Sequence, residues 1–289
     1  MKTNCFILVF ALISSALFGQ SNTFSYKTKN GNEIILLSEG QRQGQPNILI
    51  GASQKMLDET MPSGSYPSAT NAFLVRTKTG ENVLIDTGHG RELFNNLKQH
   101  GVTPEMIDAV LITHMHGDHI GGLLDENGAK KFPNAFLHLS KPEYDYFNNP
   151  ATRGSELARA IFNAYGEKLA LFEIAQKKTV GINSAITGLP CVGHTPGHVV
   201  YLLDDVLIWG DMAHAMAVQM PYPSVAVTFD VDSKQAVKSR LNMLKYIVKN
   251  KLKVAGMHIP YPGMGSLVSN GKGGYVFTPM CTSSKGENK

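Results

Sequence analysis

The chain is short of cysteine, tryptophan and charge, and each shortage narrows what it can be. It holds 3 cysteines and 1 tryptophan in 289 residues. Cys5 opens an apolar leader, which leaves Cys191 and Cys281. That excludes a disulfide scaffold, although an oxidising compartment permits one bridge between the two. Cys191 stands three residues before His194 but reads as an inert buried thiol. Charged residues make up 17% and hydrophobic ones 43%, the balance of a globular protein. The formal charge of +4 is spread thinly, and the lysines between Lys234 and Lys253 read as a solvated helix face. There is no basic stripe interleaved with aromatics, so no nucleic-acid partner is expected. Past Phe18 no apolar run is long enough to cross a bilayer, and no membrane span is expected.

The leader itself has a basic residue, Lys2, then the nearly unbroken apolar run from Cys5 to Phe18, then Gly19-Gln20-Ser21. The run is short of the roughly twenty residues a span needs and fits a secretory signal peptide. The expectation is a signal peptide over residues 1–20 and a single catalytic domain over 21–289, exported to the periplasm or secreted.

What the chain does have is concentrated in His114-Met115-His116-Gly117-Asp118-His119. The β-branched run Ala109–Ile112 before it reads as a buried strand, and Ile120-Gly121-Gly122 after it as a loosened helix start. In a strand-to-helix turn the side chains at i, i+2, i+4 and i+5 converge. Three imidazoles and a carboxylate suit Zn²⁺ or another borderline divalent ion.

Further ligand types follow at strand ends. Strands are expected at 33–37, 71–76, 82–86, 135–139, 199–203, 206–209 and 225–229, with Lys253–Met257 as the last. Residues 53–70 are expected to be a loop with apolar cargo, a lid or an irregular packed segment. Helices are expected at 92–99 and 155–166, and after a cap at Asp232 with Val237, Leu241, Leu244 and Val248 on one face. His194 lies in Gly193-His-Thr-Pro-Gly-His198, Asp211 follows Trp209-Gly210, and His258 ends the last strand. Such strand ends meet along one edge of a sheet. His198 reads as a loop brace. Asp230 and Asp232 read as turn and cap residues.

This ordered set, with Asp86 in Ile-Asp-Thr-Gly, resembles the metallo-β-lactamase superfamily over essentially the whole mature chain. Trp209-Gly-Asp211-Met-Ala-His214, Ala217-Val-Gln219-Met, Thr228-Phe-Asp230 and His258-Ile-Pro-Tyr-Pro262-Gly bring it nearer to methyl parathion hydrolases and N-acyl homoserine lactonases. The resemblance implies an α/β fold, an αββα four-layer sandwich, with two divalent ions, zinc foremost, at one edge. It implies that His114, His116 and His194 hold one ion, that Asp118, His119 and His258 hold the other, and that Asp211 bridges them. Asp118 would also be the catalytic proton carrier, Asp86 would steady a ligand, and His214 would serve in the pocket or behind a ligand.

The implied reaction is attack of a metal-activated hydroxide on a small lactone or ester, as in quorum-quenching lactonases, or on an organophosphate triester. The bridging Asp211 argues against a true β-lactamase, several of which carry cysteine there. Glyoxalase II-type enzymes carry a further C-terminal region that residues up to 289 are not expected to supply. A non-hydrolytic iron oxygenase or metal-binding protein on this fold is the remaining alternative. A homodimer is compatible with all of these. Phe73, Met216, Met220 and Tyr222 are candidate pocket walls or ordinary core.

Overall fold

The computed structural model describes residues 23–174, 180–181 and 185–281, so the expected signal segment lies outside the described residues. Two seven-stranded sheets carry the fold. The first runs in chain order: β1 (Ser25–Lys27), β2 (Glu33–Gly44), β3 (Tyr66–Arg76), β4 (Asn82–Ile85), β5 (Ala109–Leu111), β6 (Phe136–Ser140) and β7 (Leu169–Phe172). β1 to β4 pair antiparallel, and β4 to β7 are parallel neighbours. The second sheet holds β8 (Val180–Gly181), β9 (Ile186–Pro190), β10 (Val199–Leu203), β11 (Val206–Trp209), β12 (Lys253–Gly256), β13 (Met264–Ser269) and β14 (Tyr275–Pro279). Only β11 and β12 run parallel among its pairs.

The unbroken apolar run Ile34–Leu37 is explained by burial on both faces, because successive side chains alternate across a strand. Ile34 and Leu36, with Phe73, Val75, Val83 and Ile85, meet Val199, Tyr201, Val206 and Ile208 of the second sheet in a shared core. Among the described residues the α-helices are α1 (Gln54–Thr60), α2 (Leu93–Gln99), α3 (Gly117–Ile120), α4 (Lys141–Asn148), α5 (Ser155–Tyr165), α6 (Met216–Gln219) and α7 (Ser233–Asn250). Ile35 and Leu37, with Leu74, Leu84 and Val110, face outward under α2, α4 and α5. On the far side, Val200, Leu207, Trp209 and Val254 lie under α7. Helix, sheet, sheet and helix stack in that order, the expected sandwich.

Several local expectations need correcting. Residues 53–70 are not one loop: Gln54–Thr60 is a helix whose cap, Ser53, accepts from Met56 N at 3.3 Å, and β3 starts at Tyr66. Pro67 is tolerated because β4 pairs with β3 only from Phe73 onward, which leaves that end of β3 an edge. The strand expected at 225–229 is reduced to Ala226–Val227, paired with Leu49–Ile50. Lys253–Met257 is not the last strand, since β13 and β14 follow it. On α7 the buried stripe is Ala236, Arg240, Met243, Leu244 and Ile247, displaced from the expected one. Cys191 is a free buried thiol, pushed up to about 12 by burial, and Cys281 is free and exposed, so the permitted bridge is not made.

Candidate metal centre

Four chain segments deliver side chains to one edge of the sandwich. β5 runs into the His114–His119 turn, the β9–β10 connection carries His194 and His198, β11 leads to Asp211, and β12 leads to His258. The helix expected after Ile120 is instead the single turn Gly117–Ile120, which presents Asp118 and His119.

Among the described residues the donor atoms fall into three groups, of which Asp211, His214 and His258 form one that overlaps the other two. His114, His116, His194 and Asp211 form the second, and Asp118, His119 and His258 the third, with all donor atoms of a group within 4.8 Å of one another. His116 Nδ1 lies 3.0 Å from His114 Nε2 and 2.9 Å from His194 Nε2. Asp211 sits between the groups, with Oδ1 3.0 Å from His119 Nε2 and 3.1 Å from His258 Nε2, and Oδ2 3.2 Å from His194 Nε2. Asp118 approaches His119 Nε2 at 3.7 Å and His258 Nε2 at 3.6 Å, and at 25% exposure it is, with His116, one of two partly open members of the set. All seven residues implied by the resemblance are brought together.

The outer nitrogens decide whether the set fits a cation. His119 Nδ1 donates to Asp86 Oδ2 at 2.6 Å, and His194 Nδ1 to Asp230 Oδ1 at 2.9 Å. His258 Nδ1 donates to Ala69 O at 2.9 Å, and His114 Nδ1 to Thr113 Oγ1 at 3.1 Å. With each outer nitrogen protonated, the inner nitrogens turn lone pairs toward one another at hydrogen-bond distance. Lone pairs so placed repel unless a positive charge lies between them. His119 Nε2 and Asp211 Oδ1 are buried with no hydrogen-bond partner, although they lie 3.0 Å apart. They aim at a common point rather than at each other. The residues present fit two divalent ions.

Charge within the cluster follows the same layout. Burial opposes the Asp211 carboxylate, but the facing imidazoles, His214 foremost, hold it well below the usual carboxylate range. Burial also opposes a charge on His194, yet Asp211 and then Asp230 lift it to about 9, so a proton competes with a cation for its inner nitrogen. Burial takes His116 down to about 3.

The supporting residues are partly as expected. Buried Asp86, in the left-handed region at φ 54°, accepts from Thr113 N at 2.8 Å, Thr113 Oγ1 at 2.7 Å and His119 Nδ1. His198 braces as expected, donating from Nδ1 to Cys191 O and accepting Asp211 N–H at 2.9 Å on Nε2. His214 Nε2 lies 2.7 Å from Asp211 Oδ2, and the residue lines the adjoining cavity.

Three supports escaped the sequence reading. Asp230 is more than a turn residue, since it holds His194. Glu143, fully buried and raised to about 7 by that burial, accepts Met115 N–H at 2.8 Å and Gly197 N–H at 3.0 Å. It ties the His114–His119 turn to the His194 loop. Gly197 must be glycine, because a Cβ there would lie 2.2 Å from Glu143 N. Arg240, buried on α7, donates to Met212 O at 2.6 Å, Pro223 O at 3.0 Å and Val225 O at 2.7 Å, fixing the segment that bears His214. The Ser140-Lys-Pro-Glu143 spacing of a capping box was the available signal for Glu143.

A cavity of about 560 Å³ opens over the cluster. Ile120, Tyr146, Phe147, Leu157, Phe229 and Val231 give it an apolar wall, and no residue of 53–70 lines it. Of the candidate walls, Phe73, Met216 and Met220 are core residues, and Tyr222 hydrogen-bonds Glu59 away from the cavity.

The model of the metallo-beta-lactamase superfamily matches residues 65–249. A hydroxyacylglutathione hydrolase of Aliivibrio salmonicida is 31% identical over 139 residues, 48% of this chain and 45% of that relative. The chain thus spans less than half the length of such curated relatives. The crystal structure of hydrolase AbOPH in the beta lactamase superfamily superposes with TM-score 0.83 at 25% identity, covering 92% of this chain and 100% of that one. AidC, described as a dizinc quorum-quenching lactonase in complex with a product, superposes with TM-score 0.78 at 24% identity, covering 91% and 98%.

Proposed function

Because the chain belongs to the metallo-beta-lactamase superfamily, we propose that it is an exported hydrolase that holds two divalent ions, zinc foremost, and opens small lactones or esters in the manner of N-acyl homoserine lactonases. The observation that carries this reading is the inward-facing donor set, buried except at His116 and Asp118, where it meets the cavity. Bound there, two such ions supply a shared water of low pKa and a Lewis acid for the carbonyl oxygen. His114, His116 and His194 would hold one, Asp118, His119 and His258 the other, and Asp211 both.

The chain's own groups do the rest. Asp118 is the cluster carboxylate open to the cavity, placed to hold the proton of the attacking water and return it to the leaving oxygen. The imidazole tautomers are set by Asp86, Asp230, Ala69 O and Thr113. The apolar wall suits an acyl or aryl group, and burial of the cluster keeps bulk water from its inner face. The likeness to the lactonase described above supports the same reading, with interference in bacterial signalling as the biological outcome.

The test is hydrolysis by zinc-reconstituted mature protein of an N-acyl homoserine lactone beside a methyl parathion-type triester, compared as kcat/KM. The expected result is a lactone preference of several powers of ten, abolished by a chelator and restored by zinc. A triester preference would move the assignment to phosphotriester hydrolysis. Failure on both, with two ions bound per chain, would overturn the reading.

A further inference from the structure

We propose that Arg42 is a specificity residue that selects substrates carrying a carboxylate beside the bond to be cleaved; this rests on the hydrolase reading above. Arg42 follows a register shift in the β2–β3 pairing between Ser38 and Gln41, and such an irregularity re-aims the side chains after it. Its guanidinium lines the cavity. There Nη2 lies 3.1 Å from His258 Nδ1, and Nε donates to Ser68 Oγ at 3.4 Å.

The contact with His258 is one the imidazole cannot serve. Nδ1 also lies 2.9 Å from Ala69 O. A proton on Nδ1 satisfies Ala69 and leaves the Nε2 lone pair facing Asp118 and Asp211, as a cation ligand requires. That tautomer has no lone pair to offer Arg42. The opposite tautomer would serve Arg42, but it would strand Ala69 O and put a proton where the lone pair is needed. In the tautomer fit for binding a cation, Nη2 of the exposed Arg42 is therefore left without an acceptor at His258 and open to a ligand from the cavity.

No anion among the described residues takes its place. Among the described residues the arginine ion pair is Arg76 with Glu33, and neither Arg42 nor Arg153, the second arginine on the cavity lining, has one. The carboxylates on that lining are Asp118, Asp211 and Asp230, each turned to a histidine. A planar guanidinium with open donors matches a carboxylate in a two-point geometry that a neutral lactone does not offer. The apolar wall takes the rest of the molecule, so the fitting substrate is an ester or lactone with both an apolar group and a carboxylate.

The test is calorimetric binding of two uncleaved analogues, N-phenylglutaramate, which bears a carboxylate, and neutral N-phenylbutyramide, to the zinc-reconstituted mature chain. Wild type, Arg42→Ala and Arg42→Lys are compared, with zinc content measured on each. The expected result is a carboxylate preference in wild type that falls about tenfold or more in Arg42→Ala, is partly kept by lysine, and comes with unchanged zinc. An undiminished preference in Arg42→Ala would overturn the proposal. So would zinc loss in that variant, which would make Arg42 a prop for His258. Because no turnover is needed, failure of lactone hydrolysis and failure of this inference are read separately.

Discussion

Replacing Asp86 by asparagine keeps the shape of the side chain and takes away one of its acceptor oxygens. The left-handed backbone at φ 54° is one that asparagine also adopts, so the effect should come from hydrogen bonding. The carboxylate accepts three bonds: Thr113 N at 2.8 Å on Oδ1, and Thr113 Oγ1 at 2.7 Å and His119 Nδ1 at 2.6 Å on Oδ2. If the amide NH₂ takes the Oδ1 position, it meets the Thr113 N–H, donor against donor, with no other orientation open to the backbone. If it takes the Oδ2 position, His119 must accept at Nδ1 and carry its proton on Nε2, the nitrogen that faces Asp118 and Asp211. One arrangement costs stability and the other costs a ligand.

The first leaves a buried donor unsatisfied, about 1–3 kcal/mol. At roughly 2–4 °C per kcal/mol for a domain of this size class, metal-free Asp86→Asn should melt about 2–12 °C below wild type. The second should weaken zinc at the Asp118, His119 and His258 group by about 10–100-fold, the usual effect of losing an outer partner. A chromophoric-chelator competition titration, paired with a thermal melt of chelator-stripped protein, reads both. An Asp86→Asn protein that melts with wild type and binds both zinc ions at wild-type affinity would refute the reasoning.

Asp211→Asn offers one acceptor where the two groups need two, so it should lose at least one zinc per chain and more than about a hundredfold in kcat/KM, beyond what an outer partner contributes. Metal analysis showing two ions and full activity would remove the bridging role. Glu143→Ala strands the buried amides of Met115 and Gly197, which should lower stability by about 2–6 kcal/mol, with Glu143→Gln between it and wild type. Equal denaturation midpoints for all three proteins would show that the carboxylate does not hold the two loops.

Four of the seven donor residues were legible in the sequence because their spacing is local. His114, His116, Asp118 and His119 share one turn, and the strand before that turn is recognisable from its β-branched run. The sandwich came only with the resemblance, and its physical reason lies in apolar runs such as Ile34–Leu37, which have no polar face and must be covered on both sides. The helix at Gln54–Thr60 and the start of β3 were not legible, because Pro62, Gly64 and Pro67 read as breakers unless the edge position of Pro67 is known. The supports lie farther off: Asp230 stands 36 residues from His194, and Glu143 stands 28 from Met115 and 54 from Gly197. No spacing rule connects such pairs, because the fold alone brings them together.

Arg240 shows that a distant support can still leave a local mark. It sits on the buried face of α7, one turn after Ala236 and one before Leu244, where the helical period calls for an apolar residue. A guanidinium in that row is costly to bury unless its donors are met. Here they are met by Met212 O, Pro223 O and Val225 O, carbonyls of the segment that carries His214. The same segment is closed from inside by Gln219, whose Oε1 accepts from His214 N at 2.8 Å and Ala215 N at 3.0 Å. An irregular stretch that cannot pair its backbone with a neighbouring strand must satisfy those groups with side chains, and a long polar residue reaching from the nearest helix does so. A charged residue that breaks an otherwise apolar helical row is therefore a pointer to the loop it holds, and in this chain that loop begins at the cluster.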